Sequence, residues 1–247
     1  MSSNIGRSQK RRVPTIACIN RATHRGLDFN SLISALQKYV DEHLAPVWST
    51  PAKLVRAKRP RPKAWTMLFV DTAKDIRRLR KDLKKIFGKN ANEVLAFHLF
   101  KSRPIALVFV KTVLLGTSAL TDNDRISLAA SHELAEMLVD PANNLWCTDG
   151  KDKFYAYEVC DAVEANHFKV DGFAMSNFVY PAFFEGFRKR NSAQFDHMKM
   201  VQRPFQILKD GYAPVRKAGK VVRLHAFAKK RRELRREDRD LHRSEFR

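Results

Sequence analysis

The segment 122–140 limits the fold more than any other part of the chain. Apolar or small side chains cover well over half of its helical wheel, which is typical of a helix buried in a protein core. Its polar residues form a narrow stripe, because His132, Glu136 and Asp140 follow one another at intervals of four and Glu133 lies beside them. We therefore predict a buried helix whose histidine and carboxylate side chains face a cleft rather than bulk water.

Acidic residues are concentrated on and after this helix. Residues 132–164 contain eight Asp and Glu but only two Lys, although the whole chain of 247 residues has a net charge of +21. A solvated helix face would explain exposed acids, and basic neighbours would also balance them. A buried group of carboxylates instead needs a cation, or some of its members must take up protons. The narrow polar arc favours a buried group.

Mixed α and β structure is predicted for the rest of the chain. Runs of apolar residues predict strands at Thr15–Asn20, Trp65–Val70, Val94–Phe100 and Ile105–Val110. Helical periodicity over residues 29–44, with Asp28 or Asn30 as the N-cap, predicts a further helix. The expected fold class is α+β, with a small mixed sheet packed on helices that include the acidic one.

Basic residues form four blocks. Residues 1–12 are predicted to be a flexible arm and 217–247 a basic helical tail, which leaves one domain over residues 13–216. Three prolines and six bases in 51–63 predict an extended loop or edge segment, and 74–89 fits an amphipathic helix with a basic outer face. Such blocks suit phosphate contacts, so nucleic acid is a candidate partner, although a solvated charged surface would look the same.

The three cysteines, Cys18, Cys147 and Cys160, include no CxxC pair, so neither a disulfide framework nor a thiolate zinc site is indicated. This cysteine usage fits a reducing compartment. The basic start lacks the long apolar run of a signal peptide, and the most apolar stretch, 104–120, is too short to cross a bilayer. We expect a cytoplasmic protein with no membrane partner.

The stripe on the helix 122–140 resembles the metal-binding helix of zincin metallopeptidases. Their HExxH motif uses two histidines one turn apart as zinc ligands and the glutamate as general base. Here the motif is HExxE, so the resemblance makes His132 the first ligand, Glu133 the base and Glu136 the replacement for the second histidine. Zinc is the expected ion, and the carboxylate-rich donor set makes manganese the alternative.

Downstream, the sequence Tyr157-Glu158-Val159-Cys160-Asp161 resembles the second helix of glutamate zincins. That resemblance makes Glu158 the third ligand and lets Asp161 orient His132. Asp161, Asp140 and Glu164 remain alternative ligands.

The strand before the helix 122–140, Ile105–Val110, stands where zincins carry the strand that borders the substrate cleft.

The motifs SHELAEMLVDP and EVCD, with SNFVYPAFF and FDHM after them, also resemble an uncharacterised family of bacteria and phages. The resemblance covers residues 100–215. It implies an organisation rather than a chemistry, and a host-cytoplasmic or virion location if the chain is phage-encoded.

The predicted function is metal-dependent hydrolysis of a protein or peptide substrate, with a zincin-like fold. The oxyanion of the transition state needs a donor, and the candidates are Tyr155, Tyr157, Tyr180, His167 and His197. His197 is alternatively a ligand or a structural histidine. The alternatives to hydrolysis are nucleic-acid binding and a phage structural or assembly role with a degenerate site.

Overall fold

The computed structural model describes residues 13–76, 94–115 and 118–226, and the chain there is α+β, as predicted. A five-stranded sheet in the order β2-β1-β3-β5-β4 forms its first half. The pairs β1–β2, β1–β3 and β3–β5 are parallel, and β4 runs antiparallel to β5. These strands are β1 (Thr15–Asn20), β2 (Lys53–Arg56), β3 (Trp65–Val70), β4 (Ala96–Lys101) and β5 (Arg103–Phe109).

The first helix covers one face of this sheet. Asp28 caps α1 (Phe29–Lys38) by accepting a hydrogen bond from the Ser31 backbone N–H, so the predicted cap at Asp28 is confirmed. The helix continues through a π-helical turn, Tyr39–Leu44, into the short α2 (Ala45–Trp48). Its apolar stripe is buried in the main core.

The predicted buried helix is confirmed. After a single turn, α3 (Val110–Val113), the chain forms α4 (Asp122–Val139), which begins after Thr121 and ends before Pro141. The Thr121 hydroxyl oxygen accepts a hydrogen bond from the Asp124 backbone N–H. Twelve of the eighteen residues of α4 are buried, as expected for a helix with so wide an apolar surface.

The second half of the domain consists of short strands joined by turns. A four-stranded antiparallel sheet has the order β11-β10-β7-β6, and β8 and β9 form a separate hairpin. The strands are β6 (Trp146–Thr148), β7 (Phe154–Ala156), β8 (His167–Val170), β9 (Phe173–Ser176), β10 (Tyr212–Lys217) and β11 (Lys220–His225). Two 3₁₀ turns, Asp161–Val163 and Pro181–Phe184, complete this half.

β5 lies inside the sheet, between β3 and β4, as its nearly continuous run of apolar residues favours, and β4 is the edge strand on this side. One feature differs from the sequence predictions. The folded domain extends past residue 216, because β11 pairs with β10 in a hairpin closed at Ala218 and Gly219. Both turn residues have positive φ (48° and 75°), the backbone of the two-residue turns that favour hairpins.

Several predicted basic segments lie outside the described residues. The arm 1–12 and the helical run after residue 226 lie outside the described residues. Of the block 74–89, only residues 74–76 are described. The segment 51–63 contains the edge strand β2, as predicted. Within the described ranges, no helix combines the length and apolar character that crossing a bilayer requires.

Candidate metal centre

Side-chain hydrogen bonds fix the rotation of α4 about its axis. The hydroxyl of Ser127 donates to the carbonyl of Ala174 at 2.7 Å, and the hydroxyl oxygen of Ser131 accepts from the backbone N–H of Ser176 at 2.8 Å. Both partners belong to β9. The side of α4 that carries these two serines is therefore held against the hairpin.

His132 meets two carboxylates from separate segments. Its Nε2 is 3.2 Å from Oε1 of Glu136, one turn along α4, and 3.2 Å from Oδ1 of Asp161, in the turn after β7. The His132 side chain is 10% exposed and both carboxylates are essentially buried. Burial opposes charge on the ring, but the two carboxylates outweigh it and hold the pKa of His132 well above its ordinary value.

Glu136 lies at the centre of the group. Burial, with repulsion from Asp161 and Glu158, raises the pKa of Glu136 to about 8, although His132 acts in the opposite direction. The backbone N–H of Cys160 donates a hydrogen bond to Oε1 of Glu136 at 3.3 Å. The carboxylate is thus fixed by the same turn that supplies Asp161.

His98, on β4, is a member of the group that the sequence interpretation missed. Its Nδ1 is 3.2 Å from Oε2 of Glu133 and 3.7 Å from Oε2 of Glu136, and its Nε2 is 4.0 Å from Oε2 of Glu158. The side chain is 1% exposed. Burial opposes its charge, but Glu158 and then Glu133 raise the pKa of His98 above its ordinary value. The sequence signal that could have identified it is a single histidine in the otherwise apolar segment 94–100.

A cavity of about 500 Å³ opens beside the group. His132 and Glu133 line it, together with aliphatic side chains. The edge strand β4 and the residues just before it supply part of the wall, the role that the sequence interpretation gave to β5. The aliphatic side chains in this wall include Val94, Leu95, Leu115, Leu120 and Leu128.

Several donor atoms lie at separations that a metal ion could use. Ligating N and O atoms at zinc-bond lengths in a tetrahedron lie roughly 3.3 Å apart, close to the separations of 3.2 Å around His132. In each of two groups, the donor atoms all lie within 4.8 Å of one another. One group is His132, Glu136 and Cys160, and the other is His98, Glu133 and Glu136. These buried groups could hold a metal ion, and Asp161, although its Oδ1 is 3.2 Å from His132, belongs to neither of them.

Cys160 is a donor that the sequence interpretation did not include. Burial raises the pKa of its thiol, with Glu136 acting in the same direction and His132 in the opposite one. A thiol binds a metal as the thiolate, so Cys160 is one possible third donor beside His132 and Glu136. Asp161, whose Oδ1 is 3.2 Å from Nε2 of His132, is the other.

The segment 157–161, expected to be helical, is instead a turn that leads into the 3₁₀ turn Asp161–Val163. In this turn the side chains of Glu158 and Asp161 point in different directions. Asp161 faces His132 and Glu158 faces His98. Glu164 is half-buried and lines the cavity.

Tyr157 and His197 lie in aromatic clusters. The ring of Tyr157 stacks on Phe184 with centroids 4.3 Å apart. Both ring nitrogens of His197 are already used, since Nε2 is 3.1 Å from Nδ1 of His43 and Nδ1 is 3.1 Å from the hydroxyl of Tyr180. These contacts link His197 to His43 and Tyr180 rather than to the carboxylates around His132.

The other two oxyanion candidates also have places in the fold. Tyr155 packs on Phe205 with centroids 4.3 Å apart, and His167 pairs with Ser176 in the β8–β9 hairpin.

Asp140, the last member of the stripe, terminates α4. Its Oδ1 accepts a hydrogen bond from the backbone N–H of Asn144 at 3.0 Å, and its Oδ2 accepts one from Leu145 at 2.9 Å. The residue is completely buried. These bonds give it a structural role at the helix end.

We therefore expect Asp140→Ala to lower the free energy of unfolding by about 3 kcal/mol, because two backbone donors lose their acceptor. Asp140→Asn retains one acceptor oxygen and should lose roughly half as much. Chemical denaturation measures both, alongside metal content, which should stay at the wild-type level. Loss of metal at unchanged stability would instead make Asp140 a ligand.

Comparisons of the chain with protein families, with curated proteins and with solved structures give no match.

Proposed function

We propose that this protein is a metal-dependent hydrolase of the zincin-like type that cleaves peptide bonds. The observation that carries the proposal is the meeting of His132 Nε2 with Oε1 of Glu136 and Oδ1 of Asp161, each at 3.2 Å, beside a cavity that Glu133 also lines. A mixed sheet with an antiparallel edge strand next to the cavity supports the zincin-like assignment.

His132, Glu136 and Asp161 would hold the ion, with zinc expected and manganese as the alternative. Asp161 replaces Glu158 in this role because its carboxylate, not that of Glu158, is within 3.2 Å of the imidazole. When bound, a divalent ion polarises the scissile carbonyl and lowers the pKa of water.

Glu133 acts as the general base. It takes a proton from the water whose oxygen attacks the carbonyl carbon, and it returns that proton to the leaving amine as the C–N bond breaks. The aliphatic part of the cavity wall suits an apolar side chain of the substrate.

The buried ionisable groups also favour a working site over a degenerate one. His98, His132, Glu133, Glu136, Glu158 and Asp161 are all buried. Burying so many ionisable groups is costly unless a ligand compensates them. A decayed site would gain stability by losing them.

Metal analysis of purified protein tests the proposal. After incubation with Zn²⁺ and removal of free ions, the wild type should retain metal, and His132→Ala and Asp161→Asn should lose the ion that His132 binds. Asp122→Asn is the matched control. It removes an acid from the first turn of the same helix, and the Asp122 side chain is 57% exposed. Negligible metal in all four proteins would end the proposal.

Turnover tests the base. Glu133→Gln should keep the ion at His132 and reduce cleavage by roughly 10²- to 10⁴-fold. A pool of peptides of varied sequence, analysed by mass spectrometry for new termini, detects cleavage at whichever bond the enzyme accepts. Full activity in Glu133→Gln would remove this residue as the base.

A further inference from the structure

The two oxygens of Glu136 face two different histidines. Oε1 is 3.2 Å from Nε2 of His132, and Oε2 is 3.7 Å from Nδ1 of His98. The two rings come from different elements, α4 and the edge strand β4. A carboxylate placed between two ligating groups in this way has the geometry of a bridge.

The His98 side has a donor set of its own. Nδ1 of His98 lies 3.2 Å from Oε2 of Glu133, and these atoms with a Glu136 oxygen are within 4.8 Å of one another. All three side chains are 1% exposed or less. Two nitrogens and several carboxylates around a shared glutamate are more donors than one ion needs.

The far nitrogen of His98 provides an independent indication. Nε2 is buried and makes no hydrogen bond within the part of the chain that the structure describes. It faces the Glu158 carboxylate at 4.0 Å. Ligating histidines usually direct their second N–H at a carboxylate, which fixes the tautomer. A ring bound through Nδ1 would carry its proton on Nε2 and direct it at Glu158.

Charge balance leads to the same conclusion. Four buried carboxylates, those of Glu133, Glu136, Glu158 and Asp161, carry four negative charges when ionised. One divalent ion at His132 would leave a buried net charge of about −1 with His98 protonated and about −2 with it neutral, and either is costly in a site of low dielectric. Two divalent ions neutralise the group.

We propose that the group binds two divalent cations, with Glu136 as the bridging ligand. His132 and Asp161 complete the first site, which is the ion of the proposed function, and the inference rests on it. His98 and Glu133 complete the second site, and Glu158 orients His98. Ions that share such ligands in hydrolases lie about 3.5–4 Å apart and act together on the attacking and leaving atoms.

The second site is compatible with the role of Glu133 as base. The carboxylate would bind the second ion through Oε2, the oxygen that faces His98. Its other oxygen then accepts the proton of the attacking water. Glu133 would therefore both fix the second ion and reach the cavity that it lines.

Mn²⁺ titration of the full chain, with metal analysis and electron paramagnetic resonance, tests the inference. The wild type should bind two Mn²⁺ per chain with an exchange-coupled spectrum. His98→Ala and His132→Ala should each keep one ion and lose the coupling, and Glu136→Ala should lose it as well. His225→Ala, at an exposed histidine, should behave as the wild type.

The outcomes separate this inference from the proposed function. One ion per chain that is lost in His132→Ala but kept in His98→Ala would refute the second site and leave the proposed function standing. Two uncoupled ions would refute the bridge, and no bound ion would refute both. Circular dichroism checks folding, and the wild-type stoichiometry and spectrum decide the question even where a variant fails to fold.

Discussion

Gly211→Ala is expected to lower the free energy of unfolding by about 3 kcal/mol, a large effect for one methyl group. A Cβ atom at this position would lie 2.5 Å from the carbonyl oxygen of Ala162 and 2.9 Å from that of Asp161. Both are backbone atoms, so no side chain can rotate away. The clash falls on the turn that presents Asp161 to His132.

Metal binding should weaken in the same variant, by roughly tenfold or more, as when other residues that orient ligands are changed. Thermal denaturation should show a melting temperature lower by about 6–12 °C for a chain of this size. Gly172→Ala is the control, because its Cβ would meet nothing within 4 Å although its φ is +85°. It should cost only about 1 kcal/mol and leave metal affinity unchanged.

Wild-type stability and metal affinity in Gly211→Ala would show that the Asp161 turn moves aside freely. The turn would then not be a rigid support for the site. A loss of stability with unchanged affinity would mean that the clash is relieved elsewhere in the domain.

Local patterns predicted one half of the site. His132, Glu133 and Glu136 share α4, and residues three and four positions apart on a helix are neighbours whatever the tertiary structure. The wide apolar arc correctly indicated that the helix is buried. The same local argument placed Asp140 in the stripe, but the helix ends there and its carboxylate binds backbone N–H groups instead.

The other half depends on tertiary contacts that spacing does not encode. His98 reaches Glu133 only because β5 folds back antiparallel along β4 after a tight turn at Ser102, whose φ is +58°. The sequence around that turn has none of the glycine or asparagine that usually announces a hairpin. The β10–β11 turn is marked only in part, because Gly219 suits its positive φ whereas Ala218, at φ +48°, is not a residue that such turns usually select.

The metal-free protein should become less stable as pH rises from the ordinary range of a glutamate to about 8. Burial raises the pKa of Glu136 to about 8, with Asp161 and Glu158 adding to the effect and His132 opposing it. Between these pH values the folded protein keeps a proton that the unfolded chain has released, so rising pH favours unfolding. A bound cation removes the need for this proton.

Saturating Mn²⁺ or Zn²⁺ is therefore expected to raise the melting temperature by roughly 8–16 °C over chelator-treated protein at pH 7. An ion at a thousand times its dissociation constant stabilises the folded state by about 4 kcal/mol, and each kcal/mol corresponds to about 2–4 °C in a protein of this size. Differential scanning fluorimetry with and without chelator measures the shift.

Glu136→Gln makes the test specific to the site. A neutral amide of the same size keeps an oxygen acceptor for the backbone N–H of Cys160. It also removes a buried charge that the raised pKa of Glu136 shows to be unfavourable, so the metal-free melting temperature should change little. The metal-induced rise should disappear, because the central ligand is gone. Asp122→Asn should retain the full rise. An equal rise in Glu136→Gln would place the stabilising ion elsewhere, and no rise in the wild type would remove the metal centre altogether.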